Sequence, residues 1–541
     1  MSLALLQEIE ELYRQGKFLS AYRRCEAAGG LDALTEARGR QIAGRLATRL
    51  GAPRLGQAIH WRAWRQFPDS APLVFYVGRC WRDRKGPWEA IKFLKKQAAQ
   101  MAPDDRKALS DAFAGLTSLY TQLRDFEAAE RHLSRALALD DRDPWLWVTR
   151  GALLDAQDRR DEALTAYQSA LTMQHDYEPG VCAVAESLVQ LNRPAEAMEV
   201  LAGAASQLES GNVLVHLATV QMELEQPAEA RQNLDRALTY YPLLDRDRGF
   251  RKWLCMQRSQ AAYHCGDLET AAELAEQTGY DYYETLARRM RDNRDTGKRV
   301  TLEVGFTHQA HVTCVPATLS TLAKFFSHAH AHCDVTEEIC YDGTPSHDDR
   351  DWAVRHGFHA REFKVTWDAS TALIDAGIPF ALLTMGLDMG HMQAVIGYDS
   401  FREVLLIRDP GERRGTEIPI HELVEHLGCT GPRGLAFVPQ DQAHKLDALQ
   451  LPETELYDRN FDLHLALKRH DRAAAFAAYQ QMEQAAPGHR LSLYARARIA
   501  HYDTDLVALA QCTDQLLELF PDDPNQLSVK LGLWQESGTR Q

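Results

Sequence analysis

Cys314 is the residue of this 541-residue chain whose setting best suits covalent chemistry. It opens the apolar-periodic run CVPATLSTLAKFF, which predicts a helix that begins at the thiol. Pro316 falls in the first turn of that helix, where proline is tolerated because the first N–H groups have no intrahelical acceptor. The partial positive charge at a helix N-terminus favours the thiolate. Cys314 is therefore a candidate nucleophile.

A base for this thiol is predicted from a later hairpin. The runs HMQAVIGYD and EVLLIRDPG are rich in β-formers and separated by a short polar turn, which favours antiparallel pairing. His391 and Asp409 lie nine residues either side of Ser400 in that turn, so we expect them roughly opposite each other at the open end. A carboxylate there can fix the imidazole tautomer that a catalytic base needs. Gln309, just upstream of the thiol, can donate a hydrogen bond to an oxyanion.

The order of these residues resembles the papain-like cysteine peptidases, and more narrowly the bacteriocin-processing, double-glycine-type peptidases. The matching residues are Gln309, Cys314-Val-Pro-Ala-Thr-Leu, Gly390-His391-Met-Gln-Ala-Val-Ile-Gly-Tyr and Asp409-Pro410-Gly411. The resemblance covers residues 301–440. It implies that Cys314 is the nucleophile, His391 the general base and acid, Asp409 the orienting group and Gln309 an oxyanion-hole donor.

Each of these residues also has a structural explanation. A lone cysteine is more often a buried structural thiol than a nucleophile, and Asp-Pro-Gly at 409–411 is an ordinary turn former. A different chemistry is suggested by His328 and His332, which are four residues apart and would share a helix face, as zinc ligands can. No carboxylate or second pair completes a zinc site in the sequence there, so we expect neither a metal nor another cofactor.

Outside this central region the sequence repeats. The alanines that mark the period recur at steps of 34, 34 and 33 residues: Ala129, Ala163, Ala197 and Ala230. This spacing resembles the tetratricopeptide repeat, in which two helices are joined by a short turn. Stacked repeats of this kind bind peptides or proteins on a concave surface, or serve only as a scaffold for a neighbouring domain.

These patterns together predict a multidomain chain. All-α tetratricopeptide-type helical repeats are expected to flank an α+β papain-like cysteine peptidase domain. The predicted boundaries are a repeat array at 1–297, a papain-like domain at 298–440 and C-terminal helical repeats at 441–541. The charged stretch RRMRDNRDTGKRV precedes the central domain, and FDLHLALKRHDRAAAFAAY returns to the helical pattern after it.

Composition narrows the class of partner. The net charge is −15, with 61 Lys and Arg against 76 Asp and Glu, which argues against a nucleic-acid partner held by phosphate contacts. No stretch is apolar enough for a membrane span, and the N-terminus lacks the basic region of a secretory signal. The ten cysteines are scattered without a CxxC motif, which fits reduced thiols. A cytoplasmic location is expected, and the oligomeric state is left open.

The predicted function is a cysteine peptidase that cleaves a peptide or protein substrate through a Cys-His-Asp acyl-enzyme mechanism. The repeat array is expected to grip that substrate. Two alternatives stay open: a papain-fold acyl or peptidyl transferase, in which an amine accepts the acyl group, and a non-catalytic repeat scaffold that binds peptides. The identity of the substrate and the cleavage motif do not follow from the sequence.

Overall fold

The computed structural model describes residues 3–292, 297–386 and 389–537, without the side chains of 424–426. The chain forms two compact units, residues 1–294 and 295–541. The predicted three-part division of the chain stays a prediction. Part of the charged stretch before the central domain, 293–296, lies outside the described residues. The stretch GLDMG, residues 386–390, predicts a turn because it is flanked by glycines, and its residues 387–388 also lie outside them.

The first unit consists of helices joined by short turns. The helices are α1 (Leu3–Arg14), α2 (Phe18–Ala27), α3 (Ala37–Arg49), α4 (Pro53–Gln66), α5 (Val74–Lys85), α6 (Pro87–Gln100), α7 (Arg106–Gln122), α8 (Phe126–Leu139), α9 (Pro144–Ala156), α10 (Arg160–Met173), α11 (Glu178–Gln190), α12 (Pro194–Gln207), α13 (Gly211–Glu223), α14 (Pro227–Thr239), α15 (Arg248–His264), α16 (Leu268–Glu276) and α17 (Asp281–Asp292). Short 3-10 helices occur at Leu31–Ala33, Ala71–Leu73 and Leu244–Arg246.

The repeated small residues mark where the two helices of a pair touch. The four alanines of the predicted period are all 0% exposed: Ala129, Ala163, Ala197 and Ala230. In the pair α9–α10, a Cβ added at Gly151 would lie 2.3 Å from the ring of Tyr167, so only glycine allows this approach. The repeat period of the small residues therefore results from close packing between the two helices of each pair. The predicted tetratricopeptide-type helical pairs are confirmed.

The first helices of this unit fold back onto its later repeats. The backbone N–H of Glu209 donates to the carbonyl of Gly16 at 3.0 Å, and that of Leu243 donates to the carbonyl of Leu50 at 3.1 Å. The Glu209 carboxylate also accepts from the Ser20 hydroxyl at 2.7 Å, across 189 positions of sequence. A cavity of about 1140 Å³ lies inside the unit, lined by α1 to α5 and by the segments that begin α7, α9 and α11.

The second unit combines strands and helices. Its elements are β1 (Arg299–Thr301), α18 (Cys314–Phe325), α19 (His332–Ile339), α20 (Asp348–Arg355), β2 (Phe358–Lys364), α21 (Trp367–Asp375), β3 (Phe380–Met385), β4 (Gly390–Asp399), β5 (Val404–Arg408), β6 (Thr416–Pro419), α22 (Ile420–His426), β7 (Arg433–Pro439), α23 (Ala443–Asp447), α24 (Thr454–Lys468), α25 (Arg472–Ala485), α26 (Arg490–Tyr502), α27 (Leu506–Leu519) and α28 (Pro524–Ser537), with a 3-10 helix at Gln440–Gln442.

The strands form one antiparallel sheet in the order β2-β7-β3-β4-β5-β6, and β1 pairs with the end of β4. Its core contains apolar side chains that are 0% exposed, among them Phe363, Phe380 and Leu405. Helix α18 is fixed to β4 because the Thr318 hydroxyl donates to the carbonyl of Met392 at 3.0 Å. The predicted α+β region, with helices before and after it in the chain, is confirmed.

The C-terminal helices belong to the same compact unit as the sheet. Asp458 on α24 accepts from Arg350 at 2.5 Å and from Arg361, on β2, at 2.9 Å. The backbone N–H of Lys364 donates to the carbonyl of Pro452 at 3.0 Å. These contacts tie the start of the C-terminal helices to the edge strand of the sheet.

Two local predictions are wrong. The sequence from LAFVPQ onward predicts a return from the mixed pattern to helices, but its first five residues, 435–439, lie in β7, an apolar strand that is buried between β2 and β3. The helix that begins at Cys314 was expected to run through the histidines, but it ends at Phe325. There Ser327 adopts a left-handed φ of 63° and the N–H of His328 donates to the carbonyl of Ala323 at 3.0 Å, which closes the helix.

Candidate active site

A strained turn precedes Cys314, the first residue of α18. Cys314 is half-buried and is the first residue of the helix, as the sequence predicts. Two residues earlier, Val312 has a φ of 54°, which is rare for a β-branched side chain. The hydroxyl of Thr313 holds this turn, because it accepts from the N–H of Ala310 at 2.8 Å and lies 2.9 Å from Nε2 of His332.

The imidazole of His391 and the carboxylate of Asp409 are in direct contact. Nε2 of His391 lies 2.7 Å from Oδ2 of Asp409, and both side chains are half-buried. The His391 ring also lies near enough to the thiol of Cys314 to lower the pKa of that thiol. Since Asp409 occupies Nε2, Nδ1 is the nitrogen left for the thiol. The structure therefore brings three of the four predicted site residues into one connected set.

The hairpin that carries this contact has a different register from the predicted one. Its turn comprises residues 400–403 instead of centring on Ser400. Extending the register at the open end by one residue places Asp409 opposite Gln393 and diagonal to His391. The predicted directly opposite pair is therefore corrected to a diagonal one, which long side chains can still bridge.

A β-bulge decides which face of the sheet the carboxylate shares. The register of β4 against β5 shifts at Ile396, which is the extra residue. Without it, Asp409 would lie opposite Ala394, whose side chain points to the other face from His391. The residue after the bulge is Gly397. Only glycine fits there, because a Cβ would lie 2.1 Å from the carbonyl oxygen of Val300 on β1. One inserted residue thus puts the imidazole and the carboxylate on the same face.

The electrostatics of the set favour a charged pair. Burial raises the pKa of the Cys314 thiol, but hydrogen bonds from the His391 ring and the N–H of Met392 outweigh burial and hold the pKa below its usual range. The hydrogen bond to Asp409, followed by that to the thiol, raises the pKa of His391 to about 9. Both shifts favour a thiolate facing an imidazolium over a neutral thiol and imidazole.

The carboxylate is kept ionised by its own hydrogen bonds. Burial raises the pKa of Asp409, but donation from His391 and from the backbone N–H of Gly411 outweighs burial and lowers it. The Gly411 N–H lies 2.6 Å from Oδ1. The Asp-Pro-Gly turn former therefore also orients the carboxylate, so its structural explanation and a functional one are compatible.

Gln393 is a contributor that the sequence analysis missed. Its amide nitrogen donates to Oδ2 of Asp409 at 2.7 Å, the same oxygen that contacts His391. It lies two residues after His391 on β4, and residues two apart on a strand share a face. The two-residue spacing of His391 and Gln393 is the sequence feature that could have predicted this role. Gln393 therefore helps fix the rotamer of the carboxylate that holds the imidazole.

Gln309 lies beside the turn that follows Asp409. Its backbone N–H donates to the carbonyl of Pro410 at 2.8 Å. Its amide nitrogen lies 3.6 Å from the position that a Cβ on Gly411 would take. The segment before the nucleophile and the segment after the carboxylate are thus joined, and the oxyanion role of Gln309 stays a prediction.

The histidine-rich stretch takes other contacts. The ring of His328 packs on Phe358 with centroids 5.2 Å apart, whereas His332 contacts Thr313. Because α18 ends before His328, this residue and His332 do not share a helix face. Across the described parts of the chain, no three His, Cys, Asp or Glu side chains group so that they can hold a metal ion.

One known protein family has a model that matches the segment containing these residues. Residues 301–423 match the family model described as the Peptidase_C39 like family. The chain is a helical-repeat protein with a Peptidase_C39-like domain. The match includes Cys314, His391 and Asp409. No curated protein matches the chain significantly. Among the helices described here, none is long and apolar enough to span a membrane.

Several solved structures resemble the helical part of the chain. PilF of Pseudomonas aeruginosa is 20% identical, with a TM-score of 0.31, over 41% of this chain and 96% of that one. A tetratricopeptide repeat protein of Parabacteroides merdae is 13% identical, with a TM-score of 0.30, over 46% and 97%. Yeast Tom70 is 17% identical, with a TM-score of 0.38, over 51% and 59%. These values are too low to support any functional inference.

Proposed function

We propose that this chain is a cysteine peptidase that hydrolyses a peptide bond through an acyl-enzyme on Cys314. The family match supports a peptidase-like domain. The observation that carries the proposal is the connected thiol, imidazole and carboxylate, in which the 2.7 Å contact of His391 with Asp409 leaves Nδ1 for the thiol. A buried structural cysteine needs neither of these partners.

The acylation step follows from the charged pair. The Cys314 thiolate attacks the carbonyl carbon of the scissile bond, and the carbonyl oxygen takes the negative charge. His391 then transfers the proton on Nδ1 to the leaving amine, the C–N bond breaks, and a thioester remains on Cys314. Asp409 stays ionised and holds the ring through Nε2, so the proton that moves is the one facing the substrate.

The deacylation step uses the same imidazole as a base. Neutral His391 accepts a proton from water through Nδ1, and the resulting nucleophile attacks the thioester carbonyl. The C–S bond breaks, the carboxylic acid product leaves, and the thiolate–imidazolium pair is restored. No external oxidant, reductant or cofactor is required for this balance.

Two donors are proposed for the oxyanion. The backbone N–H of Cys314 is the first of the helix and has no intrahelical acceptor, so it can donate to a ligand. The Gln309 amide is the second, on the side of the Asp409 turn. Preorganised donors of this kind typically stabilise the transition state by about 2.7–4 kcal/mol each.

The helical repeats are proposed to bind the peptide or protein that is cleaved. Stacked helical pairs expose long surfaces that suit extended polypeptides. The cavity of the first unit, about 1140 Å³, exceeds the usual size of a small-molecule site and gives such a ligand a place to bind.

The test is cleavage of a proteome-derived peptide library, with new termini identified by mass spectrometry. We expect the wild-type chain to generate new termini that are absent with Cys314→Ala and retained with Cys265→Ala, a control at an exposed thiol of the first unit. Identical product lists from wild type and Cys314→Ala would contradict the proposal. A product that carries an added amine in place of water would instead assign the transferase.

A further inference from the structure

The threonine before the nucleophile does not cap its own helix. Thr313 is the N-cap residue of α18, where a hydroxyl ordinarily accepts from an N–H of the first turn. Among the described residues, no N–H of α18 donates to this hydroxyl. Thr366, the N-cap residue of α21, shows the ordinary arrangement and accepts from the N–H of Ala369 at 3.3 Å. The same residue type therefore behaves differently at two helix starts of one unit.

The hydroxyl of Thr313 is occupied by partners outside α18. It donates to the carbonyl of Ala310 at 3.1 Å, accepts from the N–H of Ala310 at 2.8 Å and lies 2.9 Å from Nε2 of His332. A hydroxyl has one proton and two lone pairs, so these partners saturate it when Nε2 carries the imidazole proton. Thr313 is buried, so the hydroxyl is held by protein groups and not by bulk water. A saturated hydroxyl cannot also accept from the helix.

Helix α19 braces the strained turn from both of its ends. His332 is its first residue, and Cys340, the residue after its last, donates through its thiol to the carbonyl of Val312 at 3.5 Å. The segment before α19 is in turn tied to α18, because the Ser320 hydroxyl donates to the carbonyl of His330 at 2.6 Å. A left-handed valine persists only where surrounding contacts fix it. The contacts from α19 are therefore part of what holds the residues before the thiol in place.

A capping hydroxyl at this position would compete with the thiolate. N-cap side chains accept from the second or third N–H of a helix, and the third residue here, Pro316, has no N–H. The second N–H belongs to Val315. Burial raises the pKa of the Cys314 thiol, whereas the His391 ring and then the N–H groups of Met392 and Val315 lower it. The N–H that a cap would take is therefore one that favours the thiolate.

We propose that His332 is a positioning residue of the Cys314 site. Its Nε2 keeps the Thr313 hydroxyl turned away from α18, which leaves the first N–H groups of the helix to the thiolate and to the oxyanion. His332 acts through the threonine and takes no part in the bonds that form and break. Its effect on the oxyanion rests on the proposed function, whereas its effect on the thiol needs no substrate.

The test is the rate at which iodoacetamide alkylates Cys314 in the full chain, read by peptide mass spectrometry. We expect His332→Ala to react roughly tenfold more slowly at pH 7, because the released hydroxyl takes the N–H of Val315 and the thiolate loses one hydrogen bond. His332→Gln places an amide donor near the position of Nε2, so it should react within threefold of the parent. On a cleaved peptide, His332→Ala should lower kcat more than it raises KM.

The matched control is His328→Ala, which makes the same substitution in the same histidine-rich stretch. His328 is exposed and its ring packs on Phe358, away from the Thr313 hydroxyl. We expect this variant to be alkylated within twofold of the parent rate. Equal rates for His332→Ala and the parent would overturn the proposal, and so would a His332→Gln variant that reacts no faster than His332→Ala.

A double variant separates positioning from a general structural role. Thr313→Val has no hydroxyl, so nothing is left for His332 to hold. We expect His332→Ala to change the alkylation rate by less than twofold in the Thr313→Val background, which is the non-additivity of two residues that act as one unit. A tenfold loss in both backgrounds would show that His332 only supports α19 and would overturn the proposal. Any loss of stability from His332→Ala is common to both comparisons.

Alkylation and cleavage together distinguish this proposal from the proposed function. Alkylation is measured without any substrate. A wild-type chain that cleaves nothing but shows the expected His332 pattern would overturn the peptidase and support the positioning role. A wild-type chain that cleaves peptides, with kcat and alkylation unchanged in His332→Ala, would support the peptidase and overturn the positioning role.

Discussion

The repeat array and the Peptidase_C39-like domain encode their key contacts in different ways. In the array, each helical pair repeats one local contact, such as Gly151 against Tyr167, at a period visible in the sequence. In the domain, one site draws on segments near residues 309–314, 390–393 and 409–411. Local packing recurs along the chain, whereas the site exists once and depends on strand register. The two regions should therefore fail in different ways when single residues are changed.

The largest expected effect is at the nucleophile. Cys314→Ala removes the attacking atom, so peptide cleavage should fall by roughly 10⁴-fold or more, as for loss of a nucleophile in other triads. The side chain loses only a half-buried sulfur, so the melting temperature should change little. Cleavage is measured on a peptide from the library screen, and unfolding is followed by circular dichroism. Cleavage at the wild-type rate would show that the chemistry lies elsewhere.

The next effect concerns the orienting carboxylate. Asp409→Asn keeps the shape but removes the charge, and the rate should fall by roughly 10²–10⁴-fold. The carboxylate raises the pKa of His391 to about 9, so activity should rise through the lowered pKa of Cys314 and fall above about pH 9 in the wild type. In the variant this alkaline limit should move to lower pH, as measured by a pH–rate profile. An unmoved limit would assign it to another group.

A smaller effect is expected at Gln393. Gln393→Leu removes the second donor to Oδ2 of Asp409, and the rate should fall roughly tenfold, the cost of one hydrogen bond to a charged group. As a positioning residue, Gln393 should change kcat more than KM and shift the alkaline limit slightly. Gln393→Glu should be worse than Gln393→Leu, because it places a second carboxylate beside Asp409. A rise in KM alone would indicate substrate contact instead.

The smallest effect on the site is expected from a change in the array. Gly151→Val forces atoms against the Tyr167 ring, and the first unit should lose about 1–3 kcal/mol of unfolding free energy. The labelling rate of Cys314 should stay unchanged, because each unit has its own core. The control is Gly203→Ala, where an added Cβ meets nothing within 4 Å. A loss of Cys314 reactivity in Gly151→Val would show that the two regions are coupled.

The sequence was most informative where a contact is local. The period of Ala129 to Ala230 predicts helical pairs because each pair packs within one repeat. The helix start at Cys314 follows from its own apolar pattern and from Pro316. The predicted extension of this helix through the histidines after Phe325 was wrong. A left-handed Ser327 ends the helix, and the sequence there has no Gly or Pro that would predict the end.

The site itself was predicted by residue type and only partly by geometry. The symmetry about Ser400 predicts His391 directly opposite Asp409, but the real turn shifts the register and the bulge at Ile396 restores only part of that shift, which leaves the two residues diagonal. A bulge cannot be recognised from hydrophobic alternation in a strand whose residues are nearly all buried. Gln393 was missed for a simpler reason: its role depends on which residue faces Asp409, and that is fixed by the bulge.

The most direct test of the thiolate–imidazolium pair is the pH dependence of Cys314 alkylation. Intact protein is treated with iodoacetamide from pH 5 to 10, and the rate at Cys314 is read by peptide mass spectrometry beside the exposed Cys265 and Cys333. We predict that Cys314 reacts faster than both at pH 7, because its pKa is lowered, and that Asp409→Asn changes this profile. A Cys314 that reacts more slowly than the exposed thiols at every pH, and no differently in Asp409→Asn, would contradict a nucleophilic role.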